Sequence, residues 1–107
     1  MDIDKIVTFV PEDATGAVID ALAAAGAGTI GNYERCAWTT TGVGTFRPTA
    51  GAHPTIGEAD QIEQVVETRV EMVLPRARRA QVVAALRAAH PYEEPAFDLI
   101  ELANTVT

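Results

Sequence analysis

Residues 90–98, HPYEEPAFD, carry an imidazole, a phenol and two adjacent carboxylates beside two prolines. Side chains of these types bind metal ions, exchange protons or line small-molecule sites. Adjacent residues of an extended loop point in opposite directions, so Glu93 and Glu94 are not expected to form an acid–base pair. Because proline fixes φ, the loop should hold one shape, with Tyr92 packed and His90 and one glutamate facing a cleft between subunits. The alternative is a structural loop that locks the last strand.

Metal binding is a second hypothesis for the same segment. With His53 and Cys36, it supplies every ligand type that transition metals use, although no spacing resembles a zinc signature such as HExxH. The candidate ligands for a divalent metal ion are His90 and Glu93. In the alternative interpretation, His90 ends a helix and interacts with its last carbonyl groups. Cys36 has no basic neighbour except Arg35, so we expect a buried structural thiol.

The composition limits the classes of protein to consider. The chain has 107 residues, of which 48% are hydrophobic, so one domain over residues 1–107 is expected. Its net charge of -7 argues against nucleic-acid binding, and no apolar stretch is long enough to span a bilayer. One cysteine excludes an internal disulfide, and the acidic N-terminus does not resemble a signal peptide, so a cytoplasmic protein is expected.

The periodicity of apolar residues predicts an α+β fold. Strict alternation over residues 61–74 predicts a strand with Val70 and Met72 on one face and Arg69 and Glu71 on the other. Spacing by three and four predicts two helices, and the remaining apolar runs predict strands. The predicted elements are strand 5–10, helix 15–25, strand 34–41 with a short strand at 45–47, strand 61–74, helix 75–90 and strand 97–102. This order predicts a ferredoxin-like βαββαβ sandwich, an antiparallel sheet with both helices on one face.

Two further expectations follow from this arrangement. The sheet face without helices should carry Trp38 and Phe46, which would favour association of subunits. Residues 41–60 form a long connection for so small a domain, which is typical of segments that serve a purpose. Four arginines of the second helix are expected to form a solvated face; they are Arg76, Arg78, Arg79 and Arg87.

Five sequence blocks together resemble one known family. They are GAGTIGNYERCAW, GVGTFRP, GAHPTIG, ETRVE and HPYEEPAFD. The combination resembles the YqfO-type inserted domain of proteins related to the NGG-interacting factor three family, also called GTP cyclohydrolase type 2 homologues. The resemblance covers nearly the whole chain and is that of a small free-standing version of the domain. His53 departs from the pattern, which has asparagine in that block.

The resemblance implies a CutA-like or PII-like ferredoxin fold that is commonly trimeric. It also implies that Tyr33 and residues 51–57 form further walls of the cleft beside HPYEEP. In the full-length family the two-metal hydrolase site belongs to the halves that flank the insert, so that chemistry is not carried over to this chain. The candidate ligand-binding residues are therefore Tyr33, His53, His90, Tyr92, Glu93 and Glu94.

Three functions from different classes remain open at this point. The first is a non-catalytic regulatory or sensing domain, a homotrimer that binds a small molecule or a metal ion at its subunit interfaces. The second is a protein-interaction module that presents residues 41–60 to a partner. The third, a metal-dependent hydrolase, would need an acid–base pair or a metal site that the sequence does not clearly show.

Overall fold

The computed structural model describes residues 1–103, so residues 104–107 of the predicted domain lie outside the description. It contains four strands and two α-helices, each helix preceded by a short 3₁₀ turn. The strands are β1 (Ile3–Pro11), β2 (Trp38–Phe46), β3 (Glu63–Pro75) and β4 (Phe97–Glu101), and the helices are α1 (Thr15–Ala24) and α2 (Arg79–Ala89). No helix within the described residues is long and apolar enough to cross a membrane.

The four strands form one antiparallel sheet in the order β2-β3-β1-β4. Directly opposed residues of antiparallel strands share a face. Ile6 therefore shares a face with its partners Met72 and Leu99, and the helices pack on that face. The opposite face, which we call the open face, carries no helix of residues 1–103. The predicted ferredoxin-like α+β fold is confirmed.

The core lies between the sheet and one side of each helix. The buried apolar side chains of the helices are those that the three-and-four spacing predicts, and they contact the alternate residues of β1 and β3. They are Val18, Ile19 and Leu22 of α1 and Val82 and Leu86 of α2. Gly26 ends α1 as predicted: its φ is +117°, and the N–H of Ala27 donates to the carbonyl of Leu22 at 3.0 Å.

The second strand differs from the prediction. Residues 34–41 and 45–47 were expected to form two separate strands, whereas Trp38–Phe46 is one continuous strand paired with β3 along its whole length. Two glycines, Gly42 and Gly44, interrupt the β-branched pattern and hid its continuity. The pairing register places Trp38 and Phe46 on the open face, as predicted, and Trp38 is largely exposed.

The arginines after Pro75 also correct a prediction. Pro75 is the last residue of β3 and not the first of the helix, because a 3₁₀ turn, Arg76–Arg78, precedes α2. Two of the arginines expected on a solvated face bind a buried carboxylate instead. Arg76 Nε donates to one oxygen of Asp4 at 2.8 Å, and Arg79 Nε donates to the other at 2.6 Å. Asp4 is fully buried, so this contact fastens the start of α2 to β1.

Candidate functional site

One end of the open face contains a cavity of about 430 Å³. The end of β2, the connection from β2 to β3 and the HPYEEP segment form its walls. Its floor is provided by β1 and β3 through Phe9 and Glu67, which the register places on the open face. Pro54, Thr55 and Ile56 of the β2–β3 connection also line it. The structure thus brings residues 51–57 beside HPYEEP.

Two hydrogen bonds hold these two loops together. The backbone N–H of His53 donates to Glu93 Oε1 at 3.0 Å, and the hydroxyl of Thr55 donates to the carbonyl of Pro91 at 2.6 Å. Glu93 therefore accepts a backbone N–H from the facing loop. Because the loops are bonded to each other, the cavity has a defined wall on both sides.

His90 anchors the HPYEEP segment to β1. Its Nε2 lies 2.7 Å from the carbonyl oxygen of Phe9, and its Nδ1 accepts the N–H of Tyr92 at 3.2 Å. A carbonyl only accepts, so Nε2 must carry the proton and Nδ1 must be the acceptor. Burial lowers the pKa of His90, which favours this neutral form. Both ring nitrogens are occupied, and His90 is not among the residues that line the cavity.

Tyr92 crosses to the open face and binds a buried carboxylate. Its hydroxyl donates to Glu67 Oε2 at 2.7 Å, and Glu67 is only 8% exposed. Burial, and then the hydrogen bond to Glu67, raise the pKa of Tyr92 well above its ordinary range. Gly44 makes room for this pair, since a Cβ at that position would collide with the Glu67 carboxylate. A glycine is therefore needed at position 44 of β2 so that the Glu67 carboxylate can pack against the strand.

Aromatic rings and carboxylates dominate the cavity. The rings of Phe46 and Tyr92 lie 6.0 Å apart at 58° to each other, and Phe9 provides a third ring. The charged residues of the lining are Glu67, Glu93, Glu94 and Arg47. The three glutamates of the lining form no ion pair with any of the described residues. The cavity is therefore apolar in its walls and carries a formal excess of negative charge.

The candidate metal ligands fit a metal ion poorly. Residues 1–103 contain no group of three or more His, Cys, Asp or Glu side chains placed to hold one. His90 has no free lone pair, and one Glu93 oxygen accepts the His53 N–H. The geometry of one chain therefore does not support the hypothesis of a metal held by His90 and Glu93.

Two other candidate residues lie apart from the cavity lining. Tyr33 is 74% exposed in the segment that follows α1, where it forms a bridge with Ile30. The imidazole of His53 does not line the cavity, although its backbone does bond to Glu93. Cys36 is half-buried, not buried as expected. The structure therefore gathers Tyr92, Glu93 and Glu94 of the six candidates around the cavity.

Glu67 lines the cavity but was not among the site residues predicted from the sequence. It stands in the alternating strand β3 as one of the outward residues, and that pattern is typical of a solvated carboxylate. Burial of Glu67 depends on two contacts distant in sequence, Tyr92 above it and Gly44 beside it. The only local signal was the pair of glycines in GVGTF, which indicates close approach by another group.

Curated relatives match nearly the whole chain. A GTP cyclohydrolase 1 type 2 homolog of Mycobacterium tuberculosis is 52% identical over 101 residues, which cover 94% of this chain and 27% of that protein. The homolog of Halalkalibacterium halodurans is 47% identical over 100 residues, with the same coverage of each. The chain thus spans about a quarter of the length of the curated relatives it matches. No protein-family model matches the chain.

Solved structures give the same result for the fold. A Bacillus cereus protein related to NIF3 superposes with a TM-score of 0.83 and 41% identity, covering 96% of this chain and 26% of that one. The CutA protein of Archaeoglobus fulgidus superposes with a TM-score of 0.65 at 16% identity, covering 97% of this chain and 87% of the CutA chain. Bacillus subtilis GlnK superposes with a TM-score of 0.61 at 8% identity, covering 95% of this chain and 84% of the GlnK chain. The resemblance to GTP cyclohydrolase type 2 homologues and the CutA-like or PII-like fold predicted from the sequence are confirmed.

Proposed function

We propose that the chain, which corresponds to a segment of the GTP cyclohydrolase 1 type 2 homologs, is a non-catalytic regulatory or sensing domain that binds a small molecule. The cavity beside HPYEEP is its ligand site. The observation that carries this proposal is the cavity itself, walled by two loops that are bonded to each other through Glu93 and Thr55. Its volume of about 430 Å³ lies within the usual range for small-molecule sites.

The side chains of the cavity favour binding over catalysis. The Tyr92 hydroxyl is already engaged as a donor to Glu67, and its raised pKa keeps the proton on the phenol. His90, the residue best suited to proton transfer, has both nitrogens bonded to the backbone. These groups hold the shape of the cavity, and a ligand entering it meets a preformed wall.

Assembly as a homotrimer is the second part of the proposal. The outer edge of β2 pairs with no other strand within residues 1–103, and unpaired edges are normally covered. Large apolar side chains of β2, β3 and the residue before β3 are at least half exposed; they are Trp38, Val43, Ile62 and Val66. The resemblance to CutA-like proteins implies three subunits, with the ligand cavity at or near their boundaries.

The fold neighbours support a ligand-binding role by analogy. The GlnK structure was solved as a complex with ATP, and the CutA protein is named for tolerance of divalent cations. Fold alone does not fix a ligand. The alternative, a protein-interaction module that presents residues 41–60, is less favoured because residues 48–56 of this segment wall the chain's own cavity.

A thermal-shift screen with a cavity-blocking variant tests the ligand site. A ligand at about 100 times its dissociation constant stabilises a protein by roughly 2.7 kcal/mol. Ala52 lines the cavity, so Ala52→Leu should abolish the shift given by a true ligand. Ala50 is exposed two residues away and outside the lining, so Ala50→Leu is the matched control and should keep the shift. A screen without any stabilising compound, or shifts that survive Ala52→Leu, would contradict the proposal.

Sedimentation velocity tests the assembly independently. The expected species has three times the chain mass of 11.3 kDa at micromolar concentration. A monomer throughout that range would refute the trimer, while the ligand site of the single chain would still be open to the screen above.

A further inference from the structure

We infer that the ligand of the cavity is an organic cation, a molecule with an ammonium or guanidinium group attached to an apolar body. This inference rests on the proposed ligand-binding function and adds the chemical class of the ligand. Three observations support the inference. Glu67 lies in the cavity, three aromatic rings line the same cavity, and the cations of the neighbouring strand positions pair with Glu71.

Glu67 is a buried carboxylate without a positive partner. It is 8% exposed, it lines the cavity, and its one described hydrogen bond is the neutral Tyr92 hydroxyl. A carboxylate removed from water without a cation is costly, and one neutral donor offsets only part of that cost. A cation that enters the cavity would supply the missing partner, so the site is electrostatically complete only when occupied.

The nearest cation on the same strand is directed elsewhere. Arg69 shares the open face with Glu67, but its Nε donates to Glu71 Oε2 at 3.1 Å. Its guanidinium carbon lies 5.8 Å from the centre of the Phe9 ring. Lys5 likewise pairs with Glu71, at 3.3 Å. Glu71 thus holds both cations that β1 and β3 place on this face, and Glu67 forms an ion pair with neither of them.

The aromatic rings suit the same kind of ligand. Phe46 and Tyr92 meet at 58° with their centres 6.0 Å apart, and Phe9 lies beside Glu67 in the lining. A cation within about 6 Å of an aromatic face is attracted by the ring, most strongly where water is displaced. The apolar wall of Pro54 and Ile56 would receive the uncharged part of the molecule.

The same arrangement disfavours phosphate-bearing ligands. The lining contains three carboxylates and one arginine, Arg47, which is exposed. Phosphate sites are built from converging arginines, lysines or helix N-termini, and like charges repel at this range. Although GlnK was solved with ATP, the lining of this cavity has the opposite charge to a nucleotide site.

An NMR titration with three matched probes tests the inference. Benzyltrimethylammonium carries a cation on an aromatic body, benzyl alcohol carries a similar body without charge, and ATP carries phosphates. We expect benzyltrimethylammonium to shift the amide signals of residues 44–56 and 92–96, with benzyl alcohol at least tenfold weaker and ATP without effect.

Glu67→Gln should weaken benzyltrimethylammonium binding about tenfold or more, because it removes the charge and keeps the shape. The matched control is Asp98→Asn, which removes an exposed carboxylate from the open face outside the cavity and should leave the affinity within twofold. If Glu67→Gln does not fold, Glu94→Gln at the exposed part of the same lining replaces it, with an expected loss of at least threefold.

The outcomes separate this inference from the proposed function. ATP or benzyl alcohol binding at these residues in place of the cation would overturn the ligand class and leave the ligand site standing. Equal weakening by Glu67→Gln and Asp98→Asn would show that only overall charge matters and would overturn the inference as well. A cavity that responds to no probe, together with a thermal-shift screen without hits, would overturn both.

Discussion

The pair of glycines in β2 gives the sharpest test of the Glu67–Tyr92 contact. Gly42 and Gly44 lie on the same strand and the same face, both with ordinary φ angles. A Cβ at Gly42 would meet nothing within 4 Å, whereas a Cβ at Gly44 would lie 2.9 Å from Glu67 Oε2 and closer still to the rest of the carboxylate. Gly44→Ala therefore has to displace Glu67, and Gly42→Ala displaces nothing.

The expected cost of Gly44→Ala follows from what Glu67 loses. Its hydrogen bond from Tyr92 is charge-assisted, and such bonds contribute about 1.5–3 kcal/mol to the free energy of unfolding. Replacing glycine with alanine returns about 0.5 kcal/mol by restricting the unfolded chain. We expect Gly44→Ala to lower the free energy of unfolding by about 1–2.5 kcal/mol. Gly42→Ala should be neutral or slightly stabilising.

Urea denaturation followed by circular dichroism measures both variants. The protein concentration must be equal throughout, because assembly makes apparent stability depend on it. For a chain of this size the Gly44→Ala loss corresponds to a Tm lower by roughly 4–11 °C. If the two variants agree within about 0.5 kcal/mol, the carboxylate of Glu67 does not occupy the place beside Gly44, and the account of the cavity floor is wrong.

Three further predictions concern groups with shifted pKa values. The Arg79 guanidinium lowers the pKa of Asp4. The ionised Asp4 carboxylate therefore stabilises the fold fully above its ordinary pKa of 3.8, and this stabilisation is lost as the pH falls through the lowered pKa. Asp4→Asn should therefore unfold in less urea at pH 7, and should lose less stability than the parent between pH 4 and pH 2; equal pH profiles would contradict this. Burial lowers the pKa of His90, so below 6.5 the unfolded chain binds a proton that the folded chain refuses, and stability falls. In His90→Gln the urea midpoint should depend less on pH between pH 7 and pH 5 than in the parent. An unchanged slope would show that His90 is not the group whose pKa burial lowers. Burial and Glu67 raise the pKa of Tyr92, so the tyrosinate absorbance difference between the parent and Tyr92→Phe should appear only well above pH 10; a difference that titrates at 10 would contradict the contact.

The fold was predictable because its signals are local and repeated. Alternation along β3 established which residues face the helices, and the three-and-four spacing of Val18, Ile19 and Leu22 established the buried side of α1. Gly42 and Gly44 broke the pattern of β2, because their role depends on a neighbouring strand and not on their own propensity.

The site was predictable only in part. HPYEEP was recognised because prolines, an aromatic ring and carboxylates stand together in the sequence, and the structure places Tyr92, Glu93 and Glu94 on the cavity. His90 was expected to face the cavity, yet its ring turns inward, because the carbonyl of Phe9 offers a partner that no sequence pattern reveals. Glu67 was overlooked for the same reason, since its burial arises from contacts across 23 and 25 residues of chain.

Crystal structures of the protein grown with and without benzyltrimethylammonium would show whether the cavity beside HPYEEP binds an organic cation at Glu67. We expect new electron density between Glu67 and the rings of Phe46 and Tyr92, present only with the compound and absent from crystals of Ala52→Leu. A cavity filled by a side chain of a neighbouring subunit, or density found only elsewhere on the surface, would contradict it.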